Sequence, residues 1–127
     1  MAQILVVDDD EGCRSFIAET LELVHHEVTA VASGEEAFAN LRRHSYDLLI
    51  TDLKMPGAGG MALLKATRAA CPYMSAIVIT AFGTSELAVQ AMKLGACDVV
   101  CKPVPSPQAL QQRVSRALRC SNLLPLR

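Results

Sequence analysis

The chain has 127 residues, with twelve Lys and Arg against thirteen Asp and Glu, and 51% of its residues are apolar. This length makes one domain, which buries roughly two-thirds of its unfolded surface without help from disulfides or metals. The composition excludes a disordered chain, a collagen and a coiled coil, and the near-even charge argues against a nucleic-acid domain.

Met1-Ala2-Gln3 leads into four apolar residues and then Asp8-Asp9-Asp10-Glu11. That is no signal peptide, because the apolar stretch is too short and its flank is acidic. No apolar run approaches the ~20 residues of a membrane span. A cytosolic chain is expected, with its five cysteines reduced and mostly buried.

Ile4 to Val7 is an apolar, mostly β-branched run that predicts a buried strand. Cys13, Ile17, Leu21 and Val24 recur at helical spacing, with Asp10 as the expected cap. Val28 to Val31 is a weaker strand. Ser33 with Glu36 forms a capping box for a helix whose apolar face is Ala37, Phe38 and Leu41. Leu48 to Thr51 is a third strand. Met61 and Leu64 mark a helix that Pro72 ends. Ala76 to Thr80 is a fourth strand. Thr84 or Ser85 caps a helix carrying Leu87, Ala88, Ala91 and Met92, and Gly95 terminates it. Val99 to Cys101 is the fifth strand. Ser106-Pro107 starts a last helix with the stripe Leu110, Val114, Ala117 and Leu118. Composition leaves open whether Ser121 to Arg127 is a frayed end or the start of a linker, so the domain is bounded at 1–120.

Strands alternating with helices imply parallel βαβ units and a sheet covered on both faces, a doubly wound α/β fold. Such folds place their chemistry in loops at the carboxyl ends of the strands. There the chain carries Asp8-Asp9-Asp10, Asp52, Thr80 and Lys102. Clustered carboxylates repel one another and call for a divalent cation, and an all-oxygen set favours Mg²⁺. A lysine and a hydroxyl beside them suit a phosphoryl group carried on a carboxylate. Singly, each residue has a plainer reading: Asp52 as a turn residue, Lys102 as a solvated side chain, Thr80 as a strand threonine. Their joint placement at successive strand ends favours a site.

Asp8-Asp9-Asp10 after Ile4 to Val7, Thr51-Asp52-Leu53-Lys54-Met55-Pro56-Gly57, Ile79-Thr80-Ala81 and Cys101-Lys102-Pro103 resemble the receiver domain of two-component response regulators. The resemblance runs from about Ile4 to Leu118 and implies a flavodoxin-like (βα)5 fold with a five-stranded parallel sheet. It implies that Asp52 is the phosphoacceptor for a sensor histidine kinase. Asp8, Asp9, Asp52 and the backbone carbonyl of Lys54 would hold Mg²⁺. Thr80 and Lys102 would bind phosphoryl oxygens, and the Lys102–Pro103 bond would be cis. The chain would be a switch that catalyses its own phosphorylation and dephosphorylation, biasing the face of the fourth helix, fifth strand and fifth helix. That face is expected to form a homodimer on phosphorylation, with an output domain C-terminal to it and no direct nucleic-acid contact. The family often has an aromatic residue where this chain has Val99, and another where it has Val104. Thr80-Ala81-Phe82-Gly83-Thr84 and Gly95-Ala96-Cys97-Asp98 resemble receivers of enhancer-binding transcription activators.

The rival reading is a haloacid-dehalogenase-like phosphohydrolase, with Asp8 as nucleophile and Asp10 as general acid. It leaves Asp52 unexplained and wants an acidic pair after the fourth strand. A receiver serving only as a constitutive binding module is a third reading. Elsewhere, His25-His26 reads as a solvated loop rather than a metal site. Arg113, Arg116 and Arg119 read as a solvated face in preference to a partner-binding one. Gly57 to Gly60 reads as loop-shaping rather than a phosphate cradle.

Overall fold

Alternate residues of β1 (Gln3–Val7) go to opposite sides of a parallel sheet, and that split organises the molecule. The computed structural model describes residues 2–53, 55, 59–81, 85–104 and 106–123. After β1 come α1 (Glu11–Glu22), β2 (Glu27–Val31), α2 (Gly34–Arg43), β3 (Leu48–Thr51) and α3 (Gly60–Ala70). β4 (Ser75–Thr80), α4 (Ser85–Lys93), β5 (Asp98–Cys101) and α5 (Pro107–Leu123) complete the order.

The sheet order is β2-β1-β3-β4-β5, with every neighbouring pair parallel. This is the flavodoxin-like arrangement that the family resemblance implies. The chain steps outward from β1 to β2, then returns past β1 to β3. The topological switch point therefore lies between the ends of β1 and β3, where ligand sites form in such sheets. Val7 is level with Thr51, and Thr80 with Cys101, so Asp8, Asp52 and Lys102 all emerge on one edge.

Ile4, Val6, Leu48, Ile50, Ile77 and Ile79 face α1 and α5, meeting Ile17, Leu21, Leu110 and Val114. Leu5, Val7, Leu49, Ala76 and Val78 face the other way, onto Leu63, Leu64 and Ala91. Each fully buried Leu or Ile contributes roughly 1.5–3 kcal/mol, so the central strands carry much of the stability and hold the site on a rigid base.

The helix ends follow local chemistry. Asp10 Oδ2 accepts the Cys13 N–H at 3.0 Å, Ser33 Oγ accepts that of Glu36 at 3.2 Å, and Ser106 Oγ accepts that of Ala109 at 3.0 Å. Glu36 bonds the Ala32 N–H, one residue before the cap rather than the cap itself. Gly95 has φ of +106°, and the bonds Gly95 N to Met92 O and Ala96 N to Ala91 O close α4 as a Schellman motif.

Several sequence expectations are corrected. Val24 is not part of the α1 stripe: the helix ends at Glu22, and Leu23 and Val24 are exposed in the turn that His25, at φ 71°, closes. Met92 does not face the core but is exposed with Val89, and Ala91 is the fully buried residue among those of α4 whose burial is described. Ser85 is the first residue of α4 rather than its cap, and Thr84 lies outside the described residues. Cys97 and Cys101 are exposed, not buried. α5 continues to Leu123, past residue 120. Arg113 is not merely solvated, since its Nη1 lies 2.9 Å from Asp98 Oδ1. His26 also has a partner, its Nδ1 accepting the Ala2 N–H at 3.0 Å. Among the described residues no helix is long and apolar enough to cross a membrane.

Candidate functional site

Asp8 is the residue after β1 and Asp52 the residue after β3, and both are buried. The Asp52 N–H donates to Val7 O at 3.1 Å, which ties the end of β3 to the end of β1. Lys102 follows β5 at the sheet's edge, and its N–H donates to Thr80 O at 2.9 Å. From there its side chain crosses β4 and brings Nζ to 2.8 Å from Asp52 Oδ2 and 3.0 Å from Asp8 Oδ2. Thr80 is fully buried at the end of β4. The Lys102–Pro103 peptide bond is cis.

Asp9 is exposed beside this group, and oxygens of Asp8, Asp9 and Asp52 lie within 4.8 Å of one another. Three carboxylates thus cluster where one ammonium contacts two of them. Burial alone lowers the pKa of the Lys102 ammonium. The hydrogen bond to Asp52, the ion contact with Asp8 and the two carboxylate charges outweigh that and hold it above the usual lysine range. The ammonium is therefore a fixed cation at any physiological pH. Asp8 Oδ1 accepts the Asp10 N–H at 2.9 Å, but the buried Oδ2 receives no hydrogen bond of good geometry. Its ion contact with Lys102 leaves coordination capacity unfilled. A buried, under-bonded carboxylate oxygen among three carboxylates suits a hard divalent cation such as Mg²⁺. Lys54, Pro56 and Gly57 lie outside the described residues.

Cys13 sits on α1 above the cluster. Burial first, then the hydrogen bond to Asp8 and its charge, push its thiol up to about 12, so it stays protonated and is no nucleophile. Beside Lys102 a cavity of about 500 Å³ is lined by Cys13, Phe16, Ala81, Pro103 and Val104, with Asp10 at its rim. Val99 pairs with Val78 and packs half-buried on the core.

Two residues of the site escaped the sequence reading. Arg14 reaches back from α1 and donates from Nη1 to Asp8 O at 2.7 Å. Its only sequence signal is its place in the second turn after the acidic run. Gly60 starts α3 so close to β3 that a Cβ would lie 1.8 Å from Asp52 O. The Gly59-Gly60 pair ahead of an apolar helix was the available signal, and at Gly60 the reason is close approach of backbone rather than loop shape.

A family model described as the response regulator receiver domain matches residues 4–115. The response regulator protein FleR of Pseudomonas aeruginosa is 39% identical over 115 residues, covering 91% of this chain and 24% of that protein. The chain spans about a quarter of the length of the curated relatives it matches. The crystal structure of NtrX from Brucella abortus in complex with ADP superposes with a TM-score of 0.92 at 31% identity, covering 98% of this chain and 28% of that one. A response regulator receiver domain protein from Clostridium thermocellum gives a TM-score of 0.89 at 34% identity, covering 98% of this chain and 99% of that one.

The phosphohydrolase alternative finds no support. Asp10, its required acid, is committed to capping α1, and the matching family is a different one. The chain belongs to the response regulator receiver domain family, whose members are phosphorylation-controlled switches of two-component signalling rather than conventional enzymes.

Proposed function

We propose that Asp52 accepts a phosphoryl group from a phosphohistidine of a sensor kinase. The single observation that carries this reading is Lys102 Nζ held between Asp52 Oδ2 and Asp8 Oδ2 at the switch point. In the transfer, an Asp52 carboxylate oxygen forms a bond to phosphorus as the phosphorus–nitrogen bond breaks. The electron pair returns to the imidazole, which takes up a proton. Asp52 suits the role better than Asp8, which is the more deeply buried and already accepts the Asp10 N–H. Asp8, Asp9, Asp52 and the Lys54 carbonyl would hold Mg²⁺, which supplies charge stabilisation to the transferring group. Lys102 pairs with one phosphoryl oxygen and the Thr80 hydroxyl donates to another. Attack of water on the aspartyl phosphate later releases inorganic phosphate, the autodephosphorylation of the switch.

The added charge of up to about two units draws Thr80 and Lys102 to new partners. Because Lys102 N is bonded to Thr80 O, movement of either strand end is felt by the other. The face of α4, β5 and α5 is the element biased, through Thr80 and the backbone around Val99. Residues 1–120 form this receiver, with residues 121–127 as its tail or the start of a linker and the last turn of α5 running on to Leu123. The partners are a sensor histidine kinase, a second copy of the chain on phosphorylation, and an output domain of an enhancer-binding activator in the cytoplasm. The relatives named as transcriptional regulatory proteins support the last of these.

The test is incubation with Mg²⁺ and acetyl phosphate, followed by mass spectrometry with an Asp52→Asn control. A labile adduct on Asp52 that requires Mg²⁺ is expected. An adduct on Asp8, or none on the folded protein, would overturn the reading.

A further inference from the structure

We infer that Arg14 is a positioning residue for the cation site: it fixes the peptide link between Asp8 and Asp9 and so aims Asp9 at the metal. This rests on the reading of Asp8, Asp9 and Asp52 as the Mg²⁺ ligands. The Arg14 guanidinium donates to Asp8 O at 2.7 Å. That carbonyl belongs to the planar Asp8–Asp9 peptide unit, so holding it also holds the N–H and Cα of Asp9. The rest of the turn is pinned independently. Asp10 N–H bonds Asp8 Oδ1 at 2.9 Å, Asp10 Oδ2 caps Cys13, and the Arg14 N–H bonds Asp10 O at 2.9 Å. Asp9 is the exception: its exposed carboxylate has no hydrogen-bond partner among the described residues. Its direction is set by its backbone, and Arg14 supplies the one side-chain bond to the peptide that precedes it.

The idea has a sign that simple electrostatics does not share. A guanidinium next to a cation site repels the cation, so deleting its charge should by itself tighten Mg²⁺ binding. Loss of positioning should weaken it instead, and outer contacts of this kind typically matter by tenfold or more in metal affinity. Lysine is a poor substitute, having a single rotatable head on a flexible stem in place of the planar fork.

The experiment is a Mg²⁺ titration of the whole 127-residue protein at fixed ionic strength, followed by the amide resonances of Asp10 and Asp52. The set is wild type, Arg14→Met, Asp9→Asn and the double variant. The expected result is a rise in Kd on the order of tenfold for Arg14→Met, absent when Asp9 is already Asn. Binding by Arg14→Met as tight as wild type or tighter overturns the inference. So does an equal loss in the Asp9→Asn background, which would mark a general structural role. If the methionine variant does not fold, Arg14→Lys carries the same test, with weakened binding expected and unchanged binding overturning it. A wild-type protein without any Mg²⁺ response would strike at the phosphoacceptor reading instead.

Discussion

Lys102 Nζ stands 2.8 Å from Asp52 Oδ2, though Lys102 leaves the sheet at its β5 edge and Asp52 at β3. The long side chain spans the end of β4 to reach the central strands. One ammonium thus offsets two buried carboxylates that would otherwise repel each other.

Replacing Lys102 by Met removes that offset. The variant should lose roughly 2 kcal/mol at neutral pH, less than a fully buried pair would because Lys102 is partly exposed. Mg²⁺ should recover more stability in the variant than in wild type, which thermal melts with and without the ion would show. The folded Lys102 pKa lies above its ordinary 10.5. Its contribution is therefore complete below pH 10.5 and is lost only as pH rises through the higher folded value. The difference between the two proteins that is due to Lys102 protonation should be constant from pH 7 to 9.

Gly60→Ala should cost roughly 1–3 kcal/mol in urea unfolding, because its Cβ would meet the Asp52 backbone rather than a side chain able to turn away. Gly59→Ala is the matched control. Its Cβ would lie 3.4 Å from Leu53 O, so the loss there should be clearly smaller.

His26 links stability to pH. Burial, and then the nearby N-terminal charge, hold its pKa below the ordinary 6.5, and Nδ1 must stay unprotonated to accept the Ala2 N–H. The unfolded chain therefore takes up a proton at higher pH than the folded one does. Stability from this group is intact above pH 6.5 and falls as pH drops through the lower folded value. Urea midpoints at pH 7.5 and 5.5 should diverge less in His26→Gln than in wild type.

Gly95→Ala should destabilise by about 1 kcal/mol or more, since φ of +106° disfavours a side chain and a Cβ would meet Arg68 Cδ at 2.3 Å. A lowered melting temperature with an unchanged far-ultraviolet spectrum is the expected result.

The strands and their chemical ends were readable because burial on both faces leaves unbroken apolar runs, and Asp8, Asp52, Thr80 and Lys102 punctuate them. Which of those residues meet depends on strand order, which periodicity does not carry. Only the placement of β1 beside β3 brings Asp8 to Asp52. The resemblance to a known family supplied the expected grouping, and the geometry gives its distances. The roles of Arg14 and Gly60 were hard to read for a different reason. They are contacts to backbone atoms, so position beside the acidic run and a glycine pair were the only signals, and neither names the carbonyl that is met. Val24 looked like core because it continues the α1 spacing, but the helix ends at Glu22 and a left-handed residue at His25 closes the turn before that spacing matters.

Among the described residues of α4, Ala91 is the one fully buried, while Val89 and Met92 are exposed and Leu87 and Ala88 half-buried. An alanine anchors little apolar surface compared with the Ile, Leu and Val that hold α1, α3 and α5. The amide hydrogens of α4 should consequently exchange with solvent through small openings well below the free energy of global unfolding. Among the described residues only α2, whose one buried apolar side chain is Ala37, is held as lightly, so α4, on the face proposed to signal, has little packing to overcome when it moves.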